Sequence, residues 1–197
     1  MSKFLPLSLA AICAAAAIPL FAGSALAQGE QIYTNCEYRF AVIYPGQPRT
    51  RDFQYMTTGG RTVPAREFLF GSGENRYAVT VAVFPPDSPA VDDAVVEHAA
   101  EQLRQRGTIR MQFQANYDPG MPGRQLNITE RNGKQLRASV YMADRRLTIT
   151  EASAPESDFN ALQFEQSITL IDERGDDLDR AAPGGDQRRF PCQQLGR

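Results

Sequence analysis

The chain contains a single histidine, His98, flanked by Glu97 and Glu101. These are side-chain types that bind divalent cations, and a Ser-His-Asp site would need this same histidine as its base. The spacing supports neither chemistry. On a helix only His98 and Glu101 share a face, and no further ligand is marked elsewhere. No Gly-x-Ser-x-Gly elbow is present, and Gly71-Ser72-Gly73 reads as a hairpin turn. Phosphate-cradling patterns of the Gly-x-x-x-x-Gly-Lys or Gly-x-Gly-x-x-Gly kind are missing too. Carboxylates alone remain as catalysts, since 23 acidic residues always allow a pair, but no spacing singles one out. The expectation is a chain without catalytic residues, metal or cofactor.

The cysteines carry a clearer message. Cys13 lies inside an apolar run from Leu7 to Ala22, preceded by Lys3 and followed by Ala25-Leu26-Ala27. That order reads as a cleaved signal peptide over residues 1–27, too short for a convincing membrane span. It implies a periplasmic or secreted protein of bacterial type. Cys36 and Cys192 are then the two cysteines left, one near each end, and an even count in an oxidising compartment predicts a disulfide.

Chemistry-bearing side chains must be positioned by something, and the periodicity supplies it. Strands are predicted at Tyr38–Tyr44 (with apolar residues on both faces, as in a central strand), Arg51–Met56, Val63–Phe70 and Arg76–Phe84. Pro64 suits an edge or a strand start. A helix follows from the Asp87/Ser88 cap to Arg106, with an apolar stripe of Val91, Ala94, Val95, Ala99 and Leu103. Gly107 is expected to close it in the left-handed conformation.

Four further strands run through Ile109–Ala115, Gln125–Thr129, Gln135–Met142 and Leu147–Thr150. If they share one apolar face, their registers follow. Ile128 pairs with Leu136 across Arg131-Asn132-Gly133, with Gly133 left-handed, and Met142 pairs with Leu147 across Asp144-Arg145. A second helix brings Phe159, Leu162 and Phe164 inward, and Ser167–Ile171 forms a last strand. The single α+β domain thus spans residues 28–171. Residues 172–187 read as an acidic mobile tail, and 188–197 as a C-terminal segment tethered by the disulfide.

The composition, 42% hydrophobic and 22% charged with a net charge of −2, fits one globular domain and disfavours a basic nucleic-acid binder. The same meander registers place Asn127 beside Arg137, Gln125 beside Ser139, and Tyr141 beside Thr148 on a polar face. Arg124, Arg137 and Tyr141 are the candidate binding face for an anionic or peptide partner. Asn127-Ile128-Thr129 matches a glycosylation sequon and is read as coincidence, because its central Ile faces the core.

Several ordered phrases carry a resemblance. They are Tyr44-Pro45-Gly46-Gln47-Pro48, Gly120-Met121-Pro122-Gly123-Arg124-Gln125-Leu126, Arg145-Arg146-Leu147 and Phe164-Glu165-Gln166-Ser167-Ile168. With the order of elements, they resemble the PsbP-like family over about residues 36–171. The resemblance implies a largely antiparallel sheet packed with two helices as an α/β/α sandwich, and mostly non-catalytic, partner-binding roles. It implies no catalytic residue to transfer, and fold analogy by itself assigns no function.

The expected function is an exported, non-enzymatic accessory or interaction domain of the cell envelope, with an envelope protein as partner and neither nucleic acid nor a stable membrane span. The alternative is a periplasmic small-molecule or lipid-binding protein, whose pocket between sheet and helices would be lined by Met111, Phe113, Met142 and Phe159. A hydrolase using carboxylates alone ranks third.

Overall fold

A computed structural model describes residues 31–88, 92–180 and 188–192. The predicted signal peptide, residues 89–91 at the first helix start, and residues 181–187 and 193–197 lie outside them. The elements run β1 (Gln31–Asn35), β2 (Phe40–Tyr44), β3 (Arg49–Met56), β4 (Thr62–Ser72), β5 (Asn75–Val83), α1 (Asp92–Arg104), β6 (Gly107–Gln114), β7 (Gly123–Glu130), β8 (Gln135–Ala143), β9 (Arg146–Ala154), α2 (Phe159–Gln166) and β10 (Thr169–Leu170). The fold is α+β. A seven-stranded antiparallel sheet has the order β3-β4-β5-β9-β8-β7-β6, and a three-stranded sheet has the order β1-β2-β10.

Alternation along the strands makes two apolar faces, and each is covered by one layer. On one face Leu126, Ile128, Leu136, Val140, Met142 and Leu147 pack under α1, through Val96, Ala99, Ala100 and Leu103. On the other, Phe68, Tyr77, Val79 and Val81 meet α2 and the small sheet, through Phe164, Phe40, Val42 and Tyr44. The second core is aromatic, with the Tyr44 and Phe164 rings 4.8 Å apart. The buried Tyr44 hydroxyl donates to Phe68 O at 2.7 Å and accepts the Val79 amide at 3.2 Å, so its polar end is satisfied where water cannot reach.

The meander has the predicted registers. Ile128 faces Leu136, and Met142 faces Leu147. Gly133 is left-handed at φ 84°, and Asp144 and Arg145 form a two-residue turn at φ 45° and 61°. As expected, β2 is a central strand, here of the small sheet, and Pro64 stands at a strand start, before β4 pairs with β5 at Ala65.

Several expectations are corrected. The strand predicted from Tyr38 begins at Phe40, because Arg39 is left-handed at φ 59° and its guanidinium is engaged with Asp144 and Glu173. The α1 stripe keeps Ala99 and Leu103 buried and Val95 partly buried, as expected, but Val96 and Ala100 join it while Ala94 is exposed, and Val91 lies outside the described residues. Gly107 is not left-handed. It opens β6 opposite Glu130, where a Cβ would lie 2.0 Å from Thr129 O, so close approach of backbone explains the glycine. Phe159 is 68% exposed, because α2 turns Ala161 and Phe164 inward.

Residues 172–180 do not form a free tail. Asp177 is buried, and its amide donates to Arg188 O at 2.9 Å, while Phe190 N donates to Gly175 O at 2.8 Å. Cys36, in the turn after β1, is bonded to Cys192 with Cα atoms 5.6 Å apart. The predicted disulfide therefore closes the N-terminal hairpin onto this returning segment.

Candidate functional site

The expectation of one shared face fails in β6. Ile109 lies opposite Ile128, but the next pair is Met111 opposite Asn127, so Arg110 is an inserted bulge residue. The bulge reverses the side-chain alternation. Ile109 stays on the α1 side, while Met111 and Phe113 swing to the α2 side, 57% and 46% exposed. A bond from Arg104 of α1 to Gln112 at 2.7 Å holds that register.

Beside these two side chains lies a groove of about 220 Å³ between the sheet and α2. Its walls include Met111, Phe113, Asn127, Arg137, Leu162 and Glu165. The registers set two rows across the strands, Met111–Asn127–Arg137 and Phe113–Gln125–Ser139. Asn127 Oδ1 is buried without a hydrogen-bond partner, an uncommon state for a polar atom. Ser139 Oγ donates to Glu165 Oε1. Burial lifts the Glu165 carboxyl above its ordinary range, with the Ser139 bond and the Arg137 charge pulling the other way.

The three predicted face residues are not brought together. Arg137 lies on the groove. Arg124 pairs with Val140 on the α1 face, and its Nε donates to Glu97 at 3.2 Å. Tyr141 is a core residue, 5% exposed, edge-on to Tyr117 at 5.5 Å. The predicted pocket of Met111, Phe113, Met142 and Phe159 does not form either, because Met142 points to the α1 core. Met111, Phe113 and Asn127 were visible in the sequence, but a bulge has no signature there. Glu165 carried no signal, since an acidic residue on a short helix reads as solvated.

A second cleft, about 370 Å³, lies where α1 leaves β3, β4 and β5 uncovered. Glu67, Glu151, Thr80, Gln102 and Arg106 face it. Its carboxylates are tied into a ladder. Arg51 meets Glu67 at 3.1 Å, Arg76 joins Glu67 to Glu151, and Arg106 joins Glu151 to Glu130. Each of the two glutamates that line the cleft is thus shared between two guanidinium groups. His98 stands at the edge of α1, its Nε2 3.3 Å from Met56 O and 3.0 Å from Gln102 Nε2.

The fold and groove define an α+β sandwich with an open edge strand beside a small amphipathic groove. No family profile and no curated protein matches the chain. Among solved structures it is similar to cyanobacterial PsbP from Synechocystis sp. PCC 6803, with a TM-score of 0.48 and 14% identity over 76% of this chain and 96% of that one. It is also similar to a Pseudomonas aeruginosa protein of unknown function, with a TM-score of 0.31 and 15% identity over 66% of this chain and 85% of that one. Both likenesses concern the fold alone. Among the described residues no helix is long and apolar enough to cross a membrane.

Proposed function

We propose that the protein is an exported, non-enzymatic accessory domain that binds a partner protein of the cell envelope through the groove between β6 and α2. The bulge at Arg110 carries this reading, because it turns two large apolar side chains outward beside the unpartnered Asn127 Oδ1 and the Arg137 guanidinium. Apolar anchors within a polar surround are the usual make-up of a binding hot spot. The groove is smaller than the roughly 300–1,000 Å³ typical of small-molecule pockets, which favours a polypeptide segment lying across it. Export is supported by the leader-like first 27 residues and by the Cys36–Cys192 bond.

A photo-crosslinking residue placed at Met111 tests the reading in the native cells. One defined adduct is expected, reduced by Phe113→Glu and not formed from the same probe at Ile32. Identical adducts from both positions would overturn it. Intact mass of the purified protein tests the leader, with Gln28 expected as the first residue.

The small-molecule alternative draws support from the 370 Å³ cleft, which lies within the usual pocket range. Native mass spectrometry of the protein from its own cells decides it: a retained ligand mass lost on Gln102→Leu favours that role, and a bare protein mass counts against it.

A further inference from the structure

Arg137 stands apart from most arginines of the fold. Arg39, Arg51, Arg66, Arg76, Arg104 and Arg106 are each tied to a carboxylate. Arg137 makes no ion pair among the described residues, although Glu165 feels its charge. Its direct cross-strand partner is Asn127, whose buried Oδ1 lacks a donor. Asn127 in turn faces Met111. Three neighbouring strands therefore present, in one row, an apolar side chain, an acceptor and a cation. Directly paired residues in antiparallel strands sit about 4.5–5.5 Å apart, so the row spans about 9–11 Å, room for one amino-acid residue with its terminal carboxylate and the contact distances at either end. Beyond Met111 the sheet ends. β6 is an edge strand, and residues 108–114 are all exposed.

Resting on the groove reading above, we propose that this row captures the carboxyl-terminal residue of a partner polypeptide. The terminal carboxylate pairs with Arg137, in the two-pronged geometry a guanidinium allows. The backbone N–H of that residue donates to Asn127 Oδ1. Its apolar side chain lies against Met111, Phe113 and Leu162. The preceding residues add as a strand to the open edge of β6, where main-chain bonds supply affinity independent of sequence. A second copy of this chain pairing edge to edge would use β6 but leave Arg137 and Asn127 idle. A fatty acid would use Arg137 but offer Asn127 no donor.

The test is selection from a library of random decapeptides displayed with free carboxyl termini, followed by titration of the selected peptides. Enrichment of an apolar final residue is expected. The free acid should bind at least tenfold more tightly than the same peptide as its carboxamide, and Arg137→Gln should erase that difference. Asn127→Leu should weaken the acid while leaving the melting temperature within a few degrees. Laurate, with carboxylate and apolar chain but no N–H, should not compete at equal concentration. Equal binding of acid and amide, effective competition by laurate, or no enrichment above a Phe113→Glu control would overturn the proposal. A partner that still crosslinks from Met111 in those cases leaves the groove reading standing, whereas loss of that crosslink removes the reading beneath it.

Discussion

The hydroxyl of Tyr117 donates to the Asp177 carboxylate at 2.7 Å, and the same oxygen accepts the Leu170 amide at 3.1 Å. One side chain thereby satisfies the end of β10 and an almost fully buried aspartate, with Arg188 closing the other side of that carboxylate at 2.9 Å. Tyr117→Phe strands the Leu170 amide and removes one donor from Asp177. The expected cost is about 1–3 kcal/mol, read as a lower urea midpoint with an unchanged slope. An unaltered midpoint would show that solvent replaces the hydroxyl.

The disulfide spans 156 positions, so its loss should cost up to ~5 kcal/mol by the loop-entropy relation. Both apolar faces of the large sheet lie within residues 40–171. A Cys36→Ser/Cys192→Ser protein should therefore still fold, at a lower melting temperature. Hydrogen exchange locates the loss: the amides of Asp177 and Phe190 should lose protection well before those of β8 and β9. Uniform loss across the sheet would contradict this.

Gly107→Ala should destabilise by about 1–3 kcal/mol through overpacking against the Thr129 carbonyl. Asparagine discriminates the cause. A left-handed cap tolerates Asn, whereas close backbone approach makes Asn at least as damaging as Ala. Gly59→Ala, which meets nothing within 4 Å, should stay within about 0.5 kcal/mol.

Hairpins were legible because hydrophobic alternation and turn residues agreed: Gly133 and the Asp144-Arg145 pair fixed β7, β8 and β9 together. The disulfide was legible from parity and compartment. What escaped was set by tertiary packing. The bulge at Arg110 depends on where Gln112 meets Arg104, and the inward face of α1 on packing that buries Val96 and Ala100 beside the expected Ala99 and Leu103. The 172–180 segment looked mobile because it is acidic and nearly devoid of large apolar side chains, yet backbone pairing with residues 188–190, one buried aspartate and the packing of Leu178 against the aromatic core order it. The candidate site suffered most, since one inserted residue in β6 decided which side chains reach the groove.

Burial raises the Glu165 carboxyl above its ordinary value of 4.5, so the folded protein holds this proton more tightly than the unfolded chain does. Between the ordinary and the raised value the folded state binds more protons, and stability from this group falls as pH rises through that window. Glu165→Gln, neutral throughout, should melt higher than the wild type at pH 7, with the advantage shrinking as pH falls through that window and gone below the ordinary glutamate value. A difference that does not change with pH would contradict this account.

The small sheet places Leu170 beside Phe40, and this pairing has a consequence in time. A ribosome makes Phe40 on the order of ten seconds before it makes Leu170. Through that interval β2 has neither β10 nor the α2 ring of Phe164 to cover Phe40, Val42 and Tyr44. Those three side chains form a short, strongly apolar run that stays uncovered until residues 164–170 of the chain arrive.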